Sequence, residues 1–323
     1  MNERRVVVVG YDLAELLDVA SVTSSLQFAN HFGARPAYQT LVVSPGGRPI
    51  TCQSGLTLQA QAPLERFVGP LDTLIVSGGY GHQKAAADSR ILGHVRRLAR
   101  QSRRVASVCT GATVLAAAGL LDGRRATTHW EFAHQLAARH PEVVVDPDPI
   151  YIRDGSVSTS AGVTSALDLT LAFIGEDNGA ELARRVARSL VTYLQRPGNQ
   201  AQMSMHVAAP PPEHDLVRAV VDHITANLHS DLSTARLASH AGVSDRHLTR
   251  LFREHVGHTP GRFVRHARTE AAAQLLTSTA LPIARVATRC GFGSAEALRQ
   301  AFTAHYGTSP SGYRATQARQ LPG

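Results

Sequence analysis

Hydrophobic spacing divides the chain into two regimes. Up to about residue 195, short apolar runs of strand length alternate with stretches of helical period; beyond about residue 213 only the helical period remains. Residues 5–9 form a β-branched run closed by Gly10, the pattern of a strand buried on both faces. A helical stretch follows over about 14–32, then a strand over 38–44 and a turn at Pro45-Gly46-Gly47. Residues 50–60 predict a further strand, and 71–77 a buried one that ends at Gly78-Gly79. Residues 83–101 predict a helix with an Arg-rich outer face. Residues 104–108 predict a strand running directly into Cys109-Thr110-Gly111 and a helix of small residues. Short strands at 124–127 and within 143–160, and helices at about 164–175 and 178–194, complete the set. Such alternation predicts a layered α/β domain with a mostly parallel sheet.

The second regime contains an internal repeat. Residues 237–260 read LASHAGVSDRHLTRLFREHVGHTP, and 286–310 read VATRCGFGSAEALRQAFTAHYGTSP. Gly242 corresponds to Gly291, Phe252 to Phe302, Gly257 to Gly307 and Pro260 to Pro310, with one residue inserted in the second turn. In each copy a glycine ends one helix and a serine, Ser244 or Ser294, caps the next. Leu248, Leu251 and Phe252 fall on one face, and so do Leu298, Ala301 and Phe302. The other faces carry Asp245, Arg246, Thr249, Arg250 and Arg253, and Glu296, Arg299, Gln300 and Thr303. A helix of that kind fits the major groove, where Arg reads guanine, Gln reads adenine and Glu accepts from cytosine. A plain helical bundle with a solvated Arg face would show one such signal; two in register, joined by a helix over 262–277, favour duplex DNA as the partner.

Charge supports that division. The net charge is +8, and residues 201–323 carry 13 arginines against 8 acids, so the shorter segment is the more basic. Every basic residue but Lys84 is arginine, the better bidentate reader of guanine and phosphate. Three cysteines, Cys52, Cys109 and Cys290, cannot pair fully and suit no zinc site, and the 16 histidines offer no convincing ligand pair, so no metal or cofactor is expected. No apolar run is long enough for a membrane span and the N-terminus leads straight into a strand, which predicts a reduced, cytoplasmic protein with no membrane association. A polar, Pro-rich segment from Arg196-Pro197-Gly198 to Pro210-Pro211-Pro212 separates the regimes. The expected domains are therefore 1–195 and 213–323, with a linker at 196–212.

The candidate chemistry lies at Cys109, where a strand meets a helix start. The helix dipole there favours thiolate, and Gly111 permits the tight turn of a nucleophile elbow with sulfur in place of hydroxyl. The amides at Gly78, Gly79 and Thr110 are candidates for an anion or oxyanion pocket, and His129, in the segment TTHW, could approach the sulfur. The alternative is a cysteine packed as a small hydrophobe.

Two resemblances sharpen these readings. Residues 215–315, above all the GFGS segment and the closing GTSPSGYR at 291–314, resemble the AraC/XylS-type DNA-binding domain, which implies seven helices and two recognition helices in successive major grooves. Residues 5–195 resemble the DJ-1/PfpI superfamily through VSGG at 76–79, VCTGA at 108–112, AGLLDGRRATTHW at 118–130 and SAGVT at 160–164. That resemblance implies a flavodoxin-like, class I glutamine-amidotransferase-like sandwich in which a cysteine, an acidic residue from the first helix and often a histidine come together. Cys109 and His129 match two of these; Asp18 best matches the acid, with Glu15 as fallback. The segment Val19-Ala20-Ser21-Val22-Thr23 departs from the pattern beside that acid. Together the resemblances imply a transcription regulator, often an activator, with RNA polymerase as a further partner. Its first domain dimerises, senses a small metabolite, or both. In that role the pocket residues would be Asp18, Gly78, Gly79, Cys109, Thr110 and His129, with no catalysis expected. The competing readings are a cysteine-dependent hydratase or amidase, and redox sensing at Cys109.

Overall fold

The computed structural model describes residues 3–192, 198, 202 and 214–318. The chain divides into two compact units, Met1–Gln202 and Met203–Gly323. Most of the expected linker lies outside the described residues. Of it, Gly198 and Gln202 are described, and both are hydrogen-bonded to the first unit: the Gly198 carbonyl accepts from the Tyr151 amide at 3.2 Å, and the Gln202 amide donates to the Asp148 carbonyl at 2.8 Å.

The first unit runs β1 (Glu3–Val9), α1 (Leu16–His31), β2 (Ala37–Ser44), β3 (Ile50–Thr51), β4 (Thr57–Leu58), β5 (Ala62–Pro63), β6 (Leu71–Val76), α2 (His82–Ala87) and α3 (Ser89–Ala99). It continues through β7 (Ser102–Val108), α4 (Gly111–Ala117), β8 (Arg125–Ala126), α5 (Trp130–Arg139), β9 (Val144–Val145), β10 (Tyr151–Asp154), β11 (Val157–Ser160), α6 (Thr164–Asn178) and α7 (Ala180–Ser189). Seven strands form one sheet in the order β10-β11-β7-β6-β1-β2-β5. All neighbours are parallel except β10 and β11, which form an antiparallel pair. The run Val6-Val7-Val8-Val9 is apolar throughout because both faces of β1 are covered. Val6 and Val8 pack with α1, α6 and α7, whereas Val7 and Val9 pack with α2, α3 and α4.

One predicted element divides. The helix expected over 83–101 breaks at Asp88, whose backbone is extended and whose carboxylate caps α3 through the amides of Arg90 (2.9 Å) and Ile91 (3.4 Å). Aspartate is a better cap than a helix-interior residue, so the chain ends one helix and starts another there.

The second unit has seven helices among the described residues: α8 (Asp215–Ala226), α9 (Thr234–His240), α10 (Asp245–Val256), α11 (Pro260–Ser278), α12 (Ile283–Arg289), α13 (Ala295–Tyr306) and α14 (Pro310–Ala318). It holds two small cores. Leu237, Leu248, Leu251 and Phe252 lie in one, and Val286, Leu298, Phe302 and Tyr313 in the other. The long helix α11 supplies Phe263 and Val264 to the first and Ala272 and Leu276 to the second. One helix thus ties two helix-turn-helix pairs, α9–α10 and α12–α13, into a single body. No helix of the described residues is long and apolar enough to cross a membrane.

Candidate functional site

In both pairs the turn is built as its sequence requires. Gly242 (φ +67°) and Gly291 (φ +78°) follow the first helices in the left-handed region. Ser244 Oγ accepts from the His247 amide at 3.2 Å, and Ser294 Oγ from the Ala297 amide at 3.0 Å. α10 and α13 both end at a left-handed glycine, Gly257 and Gly307. Leu248, Leu251, Phe252, Leu298, Ala301 and Phe302 are buried. Ser244, Asp245, Arg246, Arg250 and Arg253 are exposed on α10 and its cap, with Thr249 half-buried; Ser294, Glu296, Arg299, Gln300 and Thr303 are exposed on α13 and its cap.

The two faces differ in electrostatics. On α13, Arg299 grips Glu296 through two bonds of 2.7 Å, and Gln300 donates to the same carboxylate at 3.0 Å. These bonds hold the Glu296 carboxyl at about 2, below the usual carboxylate range. Three candidate base readers therefore form one preset cluster. On α10, Arg250 pairs with Glu254 at 3.1 Å, while Arg246 and Arg253 make no ion pair with a described residue. The cluster was not legible as such in sequence, although Glu296 and Arg299 stand three residues apart, a helical neighbour spacing.

In the first unit, Cys109 sits at the end of β7 with φ +55°. Among the described residues four non-glycines have positive φ: Cys109 itself, Leu13 and Val163 near it, and Val191. Strain of that kind persists only where the surroundings impose it. Here two glycines do so. A Cβ on Gly162 would lie 2.7 Å from Cys109 Sγ, and one on Gly78 would lie 2.7 Å from Asp18 Oδ2. The turn expected to depend on a flexible Gly111 depends instead on close approach: a Cβ there would meet the Ser77 carbonyl oxygen at 2.8 Å, while Cys109 itself carries the strained φ.

Asp18, rather than Glu15, is the acid beside the sulfur. It is 1% exposed; its Oδ2 accepts from the Gly78 amide (3.1 Å) and its Oδ1 from the Val163 amide (2.8 Å). Glu15 caps α1 and bonds to Gln53. Burial raises the Asp18 carboxyl to about 7, against two amide bonds that pull it down. The thiol does not follow the expected direction. Burial and the nearby Asp18 charge push the Cys109 thiol well above its ordinary value, outweighing the Thr110 amide and hydroxyl that favour thiolate. α4 is only seven residues long, and its dipole does not overcome desolvation of a sulfur that is 6% exposed.

Two of the three expected oxyanion donors are already in use, and the third, the Thr110 amide, is directed at the Cys109 sulfur. The Gly78 amide is bonded to Asp18, and the Gly79 amide donates to Thr110 Oγ1 at 2.9 Å, which in turn donates to the Gly79 carbonyl at 3.0 Å. Tyr11, which sequence reasoning passed over, donates its hydroxyl to the Ser77 carbonyl at 2.7 Å and lies close enough to feel the charges of Cys109 and Asp18. His129 packs its ring against Trp130 and Phe132, and its Nδ1 is buried with no hydrogen-bond partner among the described residues. Burial lowers its pKa. Its neighbour Thr128 makes the polar link, donating to the Cys109 carbonyl at 3.0 Å.

The same segment holds the end of the unit. The Gln202 side-chain amide donates to Thr127 Oγ1 (3.0 Å) and to the carbonyls of Thr128 (2.8 Å) and Pro147 (2.8 Å), and its Oε1 accepts from the Trp130 amide (3.0 Å). The backbone of Cys109 and the last residue of the unit thus share one hydrogen-bonded partner, Thr128.

Comparison with known proteins places this geometry. Residues 4–176 match the DJ-1/PfpI family and residues 237–316 a helix-turn-helix domain. The HTH-type transcriptional regulator CdhR of Pseudomonas aeruginosa is 32% identical over 310 residues, covering 95% of this chain and 90% of the relative. The isonitrile hydratase of Pseudomonas putida is 38% identical over 142 residues, 44% of this chain and 60% of the enzyme. The crystal structure of a ThiJ/PfpI family protein from Pseudomonas syringae, 25% identical, superposes with a TM-score of 0.56, covering 75% of this chain and 92% of that one.

Proposed function

The chain belongs to the DJ-1/PfpI family and, over nearly its whole length, to the helix-turn-helix transcriptional regulators that carry such a domain, and from that premise we propose that it is a sequence-specific DNA-binding activator governed by its first unit. The observation that carries the reading is the pair of capped helices α10 and α13, each burying an apolar stripe and exposing a polar one. Arg246 and Arg250 on α10, and Arg299 and Gln300 on α13, are assigned to base edges. Ser244, Asp245, Thr249, Arg253, Ser294, Glu296 and Thr303 border the duplex.

The first unit pairs with a second copy about a two-fold axis, so that the DNA-binding units meet two half-sites in cytoplasmic DNA and present the complex to RNA polymerase. It also senses a small molecule, and its ligand must bind two states unequally to have any effect. Gln202 supplies the link: whatever shifts the backbone at 127–130 alters the hold on the last residue before the DNA-binding unit.

Turnover is not the role we assign to Cys109. A buried protonated thiol beside glycine amides already bonded to protein groups is poorly arranged to attack a substrate and stabilise the resulting charge. Incubating the purified chain with a random duplex pool tests the main reading. Enrichment of a bipartite motif is expected. No preference over bulk competitor at moderate salt, with or without cell-extract metabolites, would overturn it.

A further inference from the structure

The Cys109 nest is tightly filled, yet a separate cavity lies on the other side of Tyr11. Its volume is about 290 Å3. The buried side chains of Tyr11, Ile50 and Ile91 give it an apolar floor. At its rim stand three cations: Arg48, Lys84 and Arg90, all exposed. Arg90 is spent on Asp88, with bonds of 3.4 and 3.2 Å. Arg48 and Lys84 form no ion pair with any described residue. The remaining charged group of the lining, Asp12, accepts from the Thr51 amide at 3.4 Å. The lining therefore carries three cations against two carboxylates, a balance of one positive charge above an apolar floor, with Arg48 and Lys84 outside any ion pair among the described residues.

Lys84 is also the single lysine of a chain whose other basic residues are all arginine. A compact ammonium on a flexible stem can follow a small anion into a confined space where a planar guanidinium demands a fixed fork geometry.

We propose that this cavity binds a small monocarboxylate with an apolar body, held by Arg48 and Lys84 with its body on Tyr11, Ile50 and Ile91. The volume suits a ligand of a few carbon atoms, at the lower end of small-molecule sites. The inference deepens the reading that the first unit senses a small molecule, and it locates that sensor away from the sulfur. Tyr11 joins the two places: it lines the cavity and anchors its hydroxyl on Ser77, one residue before Gly78. A Cβ on Gly81 would be 3.2 Å from the Tyr11 ring, so the loop after β6 rests closely on this side chain. A ligand that moved Tyr11 would press on the Gly78–Gly81 loop, and through it on Asp18 and Thr110.

The lone lysine makes the test simple. The full-length chain is treated with an amine-acylating ester, and modification of Lys84 is read by peptide mass spectrometry, with the N-terminal amine as internal control. The probes are 4-methylpentanoate, butanoate and the uncharged 4-methylpentanamide. At ten times its dissociation constant, 4-methylpentanoate should slow Lys84 acylation about tenfold, because only the unliganded fraction reacts. The amide should not protect, and Arg48→Gln, at an exposed position, should remove the protection while leaving circular dichroism unchanged. Equal protection by the amide, full protection in Arg48→Gln, or no protection by either carboxylate at millimolar concentration would overturn the proposal. The readout needs no DNA, so its failure leaves the DNA-binding reading standing, and failure of the duplex selection leaves this one standing.

Discussion

At the scale of single residues, burial decides the chemistry of the first unit. Asp18 and Cys109 share a space from which water is excluded, and burial makes both harder to deprotonate than they would be in water. The Asp18 carboxyl, raised to about 7 from an unfolded value of 3.8, binds a proton more readily in the folded state. Its contribution to stability is therefore fully present below pH 3.8 and is lost as pH rises through 7, the reverse of a salt-bridged aspartate. Urea titrations of wild type and Asp18→Asn should show this pH dependence in the first only. The variant should also be weaker at neutral pH by about 1–3 kcal/mol, since its amide nitrogen would face either the Gly78 or the Val163 N–H without an acceptor. Cys109 should alkylate more slowly than a free thiol at pH 7.5, measured by iodoacetamide labelling and peptide mass spectrometry; faster labelling would mean that the thiolate is populated after all.

At the scale of elements, the helix-turn-helix pairs are governed by caps and stripes. Ser244→Ala and Ser294→Ala should each cost about 1 kcal/mol, read as a lowered midpoint in denaturant, because each serine satisfies one orphan amide of a recognition helix. A histidine group adds a pH limit. His266 on α11 meets His258 edge-on and lies tilted against His305 of α13. Burial, then the charges of His305, Arg262, His258 and Arg265, holds it at about 4, against an ordinary 6.5. A depressed histidine contributes stability above pH 6.5 that is lost as pH falls toward 4. Thermal melts of His266→Gln should therefore decline less than wild type between pH 6.5 and 4.5; parallel declines would place the acid sensitivity elsewhere.

At the scale of the whole molecule, the predictions concern DNA and the connection between units. Arg250→Ala should cost about 1–3 kcal/mol and relax specificity at one base pair if it reads a base edge. Uniform weakening across sequences, with a shallower dependence of affinity on salt, would assign it to phosphate instead. Gln202→Ala removes several bonds to 127–130 and should leave DNA affinity intact while abolishing any change in promoter output on adding effector, measured with a reporter.

Much of the architecture could be read before any coordinates. The run Val6–Val9 has no polar alternation because it is covered on both sides, and paired Gly–Ser turns repeat because each recognition helix needs one stop and one cap. Such features depend on neighbours within a few residues, and local spacing records them. Asp88 was the exception, since a capping residue inside an otherwise periodic stretch leaves the hydrophobic pattern unbroken.

The environment of Cys109 could not be read that way. Its thiol state depends on Asp18, Gly78, Val163 and Gly162, which come from the ends of separate elements, and on how completely they exclude water. Nor does anything in the local sequence bring Arg48 and Lys84 to one cavity, or Gln202 to Thr128. The sequence by itself determined the two-part plan, the sheet and the paired recognition helices, and it narrowed the buried acid to Asp18 or Glu15. Only the tertiary structure decided which charges stay free and which amides are spent, because desolvation and hydrogen-bond satisfaction depend on groups far apart along the chain.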